Sequence, residues 1–479
     1  MGKFNVTEFS WDIEPNHLFV TRFRQYQEVA AIVFEQHFPD GAAATSSGNR
    51  EGVSSVFPSI DVCDLGAASR RGVLAYDGDM VGDGNKVVEW GEKTNSLPSG
   101  INAGPLAVFA EDMSTTAVIS SFSNFMAAQN YFSTKNARNG CGGTLELGMM
   151  GNVSSIPMGY TLEHIMTFKA DGVNAAMLAW GDVLLSRYGK NRRDSRDTDF
   201  TANYLGYSTD NGAYYYYFTE DGKDYGETLR DVAKYAAAVG IPYRWVLLDS
   251  WWYYKGIGDG VKNWTAMPSI FPEGLDALYN STGWMVQGHN RYWASDTTYA
   301  RQNGGDWNFL IDSETNYALP LEQEFWDYLL GSSRLWGLRV YEQDWLDDEY
   351  DHVGALTSDA TLARTWLMQM GEAASRNGMT IQYCMSHCRH IMQSVEIPSV
   401  TQARASGDYH QGCSDQWDVG TTSIFADALA VVPTKDNYWS TTLQPGNPKY
   451  AHCPQGEPWS RLNAAVSSFT AGPVAPSDA

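Results

Sequence analysis

The hydrophobic pattern of this 479-residue chain changes character near residue 195. Before that point, short apolar runs such as GVLAY (72–76), LAVFA (106–110), TAVISSF (116–122) and TLELGMMG (144–151) are separated by Gly, Asn, Ser and Pro. Runs of that length between turn residues predict strands of an antiparallel β-sandwich over residues 1–195. The segment LLSRYGKNRRDSRDTDF (184–200) loses the apolar pattern and reads as a linker. Beyond it, apolar runs alternate with helical periodicity. YLGY precedes TLRDVAKYAAAVG, whose apolar residues fall at helical spacing and which stops on Gly240. YRWVLLDSWW precedes GLDALYN, and GLRVYEQDWL precedes TLARTWLMQMGEAASRNG; WMVQGHNRYW, TIQYCMSH, SVTQARAS and AAVSSFTAGPV complete the series. Repeated strand–helix pairs imply a parallel sheet, and eight such pairs need about 250 residues. The expected architecture is α/β: the sandwich followed by a (β/α)8 TIM-type barrel over 196–479. The last strand candidate stops at the final residues, so the barrel is expected to be truncated at its C-terminal end.

Composition narrows the ligand class. With 33 Lys+Arg against 56 Asp+Glu the net charge is -23, which repels nucleic-acid phosphates and anionic membrane surfaces. A neutral oligosaccharide or glycoconjugate is the partner easiest to reconcile with that field. No run of about 18 apolar residues offers a membrane span. The 17 Trp and 27 Tyr supply amphipathic rings suited to sugar faces. Six scattered cysteines (Cys63, Cys141, Cys384, Cys388, Cys413 and Cys453) form no disulfide-scaffold pattern. No dinucleotide or phosphate-loop fingerprint follows a strand, and no cofactor is expected. Cys384, His387, Cys388 and His390 are ligand types in CMSHCRH, but without the paired C-x-x-C spacing no metal is expected. The opening MGKFNVTEFSWDIEP lacks an apolar signal core, whereas sequons at Asn5, Asn152, Asn263 and Asn280 would permit a secretory route. The sequence leaves compartment and oligomeric state open.

In barrel enzymes the catalytic groups come from the C-terminal ends of several strands. Those ends carry Asp210 and Asn211, then Asp249, Trp251 and Trp252, then His289, Asn290 and Arg291. Glu342, Asp344 and Trp345 follow, then His387, then Arg404 and Asp408. The stretch VYEQDWLDDEY (340–350) crowds acids without a basic residue. Asp344 lies where the apolar run gives out and is expected to point inward, with Glu342 two residues earlier on the same side. Asp347 to Asp351 are expected on a solvated loop. Trp251 and Trp252 alternate across a strand end, so no more than one can face a pocket, and Asp249 can instead cap a helix. Asp344 and Asp408 come from different strand ends and could stand across a glycosidic bond, as two-carboxylate hydrolysis requires.

At these residues the chain resembles the α-galactosidase and raffinose-synthase (melibiase-like) group of glycoside hydrolases. The resemblance is carried by Asp249 in LLDSWW, the x-x-Asp of YEQDW, the Arg-x-x-x-Asp of RASGD and the closing SSFTAGPVAPSDA, and it covers most of residues 200–479. It implies a retaining mechanism on an α-linked sugar, with Asp344 as nucleophile and Asp408 as general acid and then base. Asp249 and Trp251 would bind the innermost sugar with Arg404 assisting, while Asp210, His289, Arg291, Trp345 and His387 are further candidate contacts. Two positions depart from the group: Glu342 stands where a Lys is usual, and Ser250 follows Asp249 where paired acids are usual. Transfer to a second sugar, suggested by the aromatic content, and binding without turnover, suggested by Glu342, are the alternatives to hydrolysis.

Overall fold

The computed structural model describes residues 1–479 apart from 14–16, 63–70, 92–93, 95, 135–142, 414–415, 417 and 444–455. Cys63, Cys141 and Cys453 lie outside the described residues. In the first half, an eight-stranded antiparallel sheet runs, edge to edge, through Phe4–Ile13, His17–Tyr26, Ala31–Phe38, Tyr160–Lys169, Thr116–Ser121, Leu106–Ala110, Arg71–Ala75 and Lys86–Glu89. A second sheet of three strands, Ala128–Ser133, Thr144–Met150 and Val53–Asp61, packs on one of its faces. Val73, Ala75, Leu106, Val108 and Ile119 meet Phe132, Leu145 and Leu147 in the core between the two sheets. Their neighbours Leu74, Tyr76, Ala107 and Val118 point the opposite way into the main core, as the two-residue side-chain period requires. Burial on both faces explains why these strands read as continuous apolar runs rather than alternating ones.

The segment expected to be a linker is helical. Gly172–Tyr188 and Arg192–Thr198 are both helices, and they fasten the sandwich to the second half. Gly181 lies against the Ala428 carbonyl, which an added Cβ would meet at 2.0 Å, so the approach requires glycine. Arg192 donates to the carbonyls of Asp427 and Ala428 at 2.8 Å each, at the C-terminal end of the helix Val419–Ala428. Basic residues that break the apolar pattern are here the partners of a helix terminus, where cations are favoured.

The second half is a curled parallel sheet of seven strands in sequence order: Gly206–Ser208, Trp245–Leu248, Met285–Asn290, Leu338–Gln343, Thr380–Tyr383, Val400–Arg404 and Val432–Thr434. Helices connect successive strands; Tyr225–Val239 starts on an Asp224–Glu227 capping box and stops at Gly240, with φ 81°. The final residues join the sheet's two edges. Gly206 N and Ser208 N donate to Val474 O and Pro476 O at 3.0 and 3.1 Å, and Ser477 N donates to Tyr438 O at 3.0 Å. Two sequence expectations change: AAVSSF belongs to the helix Ser460–Phe469, and the unanticipated strand Val432–Thr434 has only three residues, one of them Pro433. A five-stranded sheet (Tyr253–Lys255, Val261–Ala266, Trp293–Ala294, Phe309–Asp312 and Tyr317–Pro320) follows the second and third parallel strands. Among the described residues no helix is long and apolar enough to cross a membrane.

Candidate active site

A cavity of about 530 Å³ opens at the C-terminal ends of the parallel strands, within the range of small-ligand sites. It is lined by Asp210, Tyr215, Tyr216, Phe218, Asp249, Ser250, His289, Arg291, Glu342, Asp344, Trp345, Met385, Arg404 and Asp408. The structure therefore brings together Asp210, Asp249, His289, Arg291, Glu342, Asp344, Trp345, Arg404 and Asp408 from the sequence candidates.

Asp344 follows the strand Leu338–Gln343 and is anchored by its own N–H, which donates to Asn290 O at 2.8 Å. Its side chain is 13% exposed, and its Oδ2 lies 2.9 Å from His289 Nε2. Its Oδ1 accepts from Trp345 N at 2.8 Å. Burial pushes the Asp344 carboxyl up, but the His289 bond and charge, the Cys384 thiol and the Trp345 N–H outweigh it and hold it below the usual carboxylate range. For His289 burial pulls down, and the surrounding charges of Asp249, Asp344 and Glu342 carry it above the usual imidazole range. The other ring nitrogen, His289 Nδ1, is 3.1 Å from Tyr253 OH. Trp345 has φ 55°, a left-handed backbone that costs a non-glycine residue about 1–2 kcal/mol. Its ring carries the Arg291 guanidinium at 4.7 Å, and its carbonyl starts the next helix by accepting from Glu349 N at 3.0 Å.

Glu342 lies deeper, 2% exposed. Gln287 and Gln382 donate their amides to its Oε2 and Oε1, each at 3.0 Å. Burial, with the charges of Asp344 and Asp249, pushes its carboxyl up to about 7 against the opposing pull of His289 and Gln287.

At another strand end that lines the cavity, Arg404 is 4% exposed and serves three carboxylates. Its Nη2 is 3.0 Å from Asp408 Oδ1, and its Nη1 is 3.2 Å from Asp436 Oδ1 and 3.6 Å from Asp210 Oδ2. Asp210 and Asp436 are buried, whereas the Asp408 side chain is 54% exposed. Carboxylate oxygens of the three lie within 4.8 Å of one another, and the guanidinium supplies the positive charge that such a cluster needs. Burial, and then the charges of Asp249, Asp436 and Asp408, raise Asp210 well above the ordinary range despite Arg404.

Other candidates stand elsewhere. Trp251 is fully buried and stacks on Tyr225 with centroids 3.8 Å apart. Trp252 is also fully buried, against Trp264 and Trp336. Neither lines the cavity; Ser250 does. The chain turns at Asp249–Ser250, so large apolar rings that follow it are drawn into the core. His387 is likewise outside the cavity lining, with Nε2 3.3 Å from Asp351 Oδ1 and its ring stacked on His390. Asn290 is buried and donates to Tyr341 OH. The solvated loop expected at Asp347–Asp351 is instead the helix Leu346–His352. Asp347, Asp348 and Glu349 occupy its first turn, where negative charge is favoured. Glu349 is fully buried and accepts from Trp293 N at 3.2 Å. Burial and Asp79 push Asp347 up to about 8.

Tyr215, Tyr216, Phe218, Met385 and Asp436 escaped sequence reasoning. The run AYYYYF (213–218) directly after the first strand end was a usable signal for the three rings. Asp436 follows a strand too short to be recognised.

No family model matches the sequence, and no curated protein matches it. Solved structures do. An α-galactosidase from Lactobacillus brevis superposes with a TM-score of 0.58 at 10% identity, covering 99% of this chain and 64% of its own. The GH36 α-galactosidase AgaA from Geobacillus stearothermophilus, in complex with raffinose, gives 0.58 at 12% identity, covering 96% and 64%. The α-N-acetylgalactosaminidase NagBb from Bifidobacterium bifidum gives 0.55 at 10% identity, covering 98% and 85%. The fold is α-galactosidase-like. The chain spans just under two thirds of the length of the first two of these proteins.

Proposed function

We propose that this protein hydrolyses an α-linked glycoside with retention, Asp344 being the nucleophile. The observation that carries the proposal is a buried aspartate at the cavity wall held ionised by His289, with an Arg404-bound group of acids lining the same cavity. The Asp344 carboxylate attacks the anomeric carbon, the bond to the leaving oxygen breaks, and an acid on the opposite wall gives that oxygen a proton. Water then attacks the same carbon, the now-ionised acid takes its proton, and the carboxylate leaves. Asp408 is the acid suggested by its place four residues after Arg404, and its exposure gives it access to a leaving group. Arg291, Asp249 and Glu342 contact the sugar held between the walls, and the α-glycosidase neighbours support an α-linked carbohydrate substrate.

The test is hydrolysis of activated aryl α-glycosides before and after Asp344→Asn. Loss of about 10⁴-fold or more is expected, as for removal of other nucleophilic groups that act in concert; an unchanged rate refutes the assignment. Tyr215, Tyr216 and Phe218 at the cavity rim favour sugar transfer as a second reading, and product analysis with excess sugar acceptor separates it from hydrolysis.

A further inference from the structure

We infer that the pocket selects a sugar bearing an ammonium group, an amino sugar in place of a neutral hexose, with Asp249 and Glu342 as its counter-charges. This inference rests on the glycosidase reading of the same cavity and goes beyond it. Five carboxylates line the cavity (Asp210, Asp249, Glu342, Asp344 and Asp408) against three cationic groups, His289, Arg291 and Arg404. The cations are already engaged. His289 is paired with Asp344, and Arg404 is shared by Asp210, Asp408 and Asp436. Arg291 lies over the rings of Trp345 and Tyr292 and, among the described residues, hydrogen-bonds only the Asp259 carbonyl, at 3.5 Å.

Asp249 and Glu342 are left over. Asp249 is 6% exposed, and among the described residues its carboxylate has no hydrogen-bond or ion-pair partner. Among the described residues Glu342 is bonded only to two neutral amides. Strand register puts the two on either side of His289. Leu248 pairs with Gly288, so Asp249 is level with His289, and His289 pairs directly with Glu342. Two buried acids that no cation bonds directly among the described residues, both lining one cavity, form a site suited to a positive charge. Hydroxyl groups can donate to them but leave both charges uncompensated, whereas an ammonium supplies charge and donors together. Glu342, pushed up to about 7 without such a partner, ionises when one arrives. The chain's net charge of -23 draws cations toward the mouth.

The test is calorimetry near neutral pH and low salt with methyl α-hexosides of galacto and gluco configuration, each compared with its 2-amino-2-deoxy and 6-amino-6-deoxy forms. At least one amino form is expected to bind about tenfold tighter than its neutral parent, a typical gain for a well-made charged hydrogen bond. Glu342→Gln and Asp249→Asn, which keep side-chain shape, are expected to erase that preference together. Neutral parents binding as well as every amino form, binding of neither class, or a preference that survives both substitutions would overturn the inference. Hydrolysis separates the two claims. Turnover of neutral aryl α-glycosides with no amino preference keeps the glycosidase and discards the amino sugar. Tight amino-sugar binding with no turnover of any α-glycoside does the reverse.

Discussion

The two walls of the cavity treat the same functional group in opposite ways. On one side Asp344 is the carboxylate bonded directly to His289, with a backbone N–H as its second donor, while Asp249 and Glu342 feel the same imidazole only at longer range. On the other, Asp210, Asp408 and Asp436 share one guanidinium. One positive charge cannot fully offset the two buried acids, Asp210 and Asp436, together with the more exposed Asp408. The first wall therefore holds its acid below the carboxylate range, while the second pushes Asp210 well above it. Carboxyl groups driven apart in this way suit the proposed double displacement, one ionised to attack and one holding a proton, and they make Asp210 a rival to Asp408 for the acid's role. The difference lies in how directly each acid meets a cation: Asp344 is 2.9 Å from His289, whereas Asp210 is 3.6 Å from a guanidinium nitrogen that it shares with Asp436.

After Asp344→Asn, the largest effects that bear on this contrast come from the crowded wall. Asp408→Asn is expected to slow glycosides with poor leaving groups by about 10²–10⁴-fold, the usual worth of a general acid. Activated aryl substrates, whose leaving groups need no proton, should be much less affected in the first step. Asp210→Asn, by contrast, is expected to lower the rate alike for all leaving groups, as loss of a sugar contact does. Rates across a series of aryl leaving groups for both variants make the comparison. A leaving-group dependence that appears in Asp210→Asn and not in Asp408→Asn would transfer the acid's role to Asp210, whose burial and raised proton affinity suit it.

Much of this contrast was legible in the chain. Most of the parallel strands carry apolar runs clean enough for their C-terminal ends to be found, and the three-residue Gly206–Ser208 is marked by the helical pattern that follows it, so the acids and Arg404 fall at strand ends by position alone. What failed has a common cause. The resemblance places Trp251 at the sugar, but a turn at a strand end lets large rings such as Trp251 and Trp252 swing back into the core, where their burial is worth most. The acids at 347–351 looked solvated because charge was counted without the helix that begins at Leu346 and whose first turn accommodates them. The linker expectation at 184–200 erred for the same reason: charged residues were read as solvated when they cap or pair with a neighbouring element. Asp436 was missed because three residues carry no periodicity. Sequence shows which strand ends face the mouth; partners that arrive from distant parts of the chain, such as His289 for Asp344, set the charge state.

A smaller effect tests the first wall. His289→Gln keeps a hydrogen bond to Asp344 but removes the positive charge. With burial then unopposed by that charge, the Asp344 carboxyl moves up, so the acid limb of the pH–rate profile is expected to shift to higher pH. A loss in kcat/KM of about 10–100-fold is expected from imperfect orientation. Stability follows the same logic. Because Asp344 is lowered in the folded state, its contribution is present above the ordinary carboxylate pKa of about 3.9 and is lost as pH falls through the folded value. Because His289 is raised, its contribution is full below about 6.5 and is lost as pH rises through its folded pKa. The variant should lose the alkaline dependence, and thermal unfolding as a function of pH reads it directly. An acid limb that stays in place would mean that His289 does not govern Asp344.

Tyr253→Phe is the finest probe, because it touches the wall without touching the acid. Burial raises the phenol of Tyr253 well above its usual range, so it is a neutral hydroxyl beside His289 Nδ1 at 3.1 Å. A charged His289 donates from both nitrogens, one to Asp344 and one to this oxygen. Removing the oxygen leaves a buried N–H without a partner, which costs about 1–3 kcal/mol, and the neutral imidazole becomes the better tolerated form. The His289 pKa should therefore fall. Asp344 then loses part of the charge that holds it ionised, so the acid limb shifts in the same direction as in His289→Gln but by less. A drop in kcat of about tenfold with KM nearly unchanged is expected, since Tyr253 positions the histidine and does not line the cavity. Titration of the His289 ring protons by NMR in the two proteins decides the matter. An equal His289 pKa in both would show that the tyrosine merely fills space, and the positive charge beside the nucleophile would then have to be sustained by the surrounding carboxylates alone.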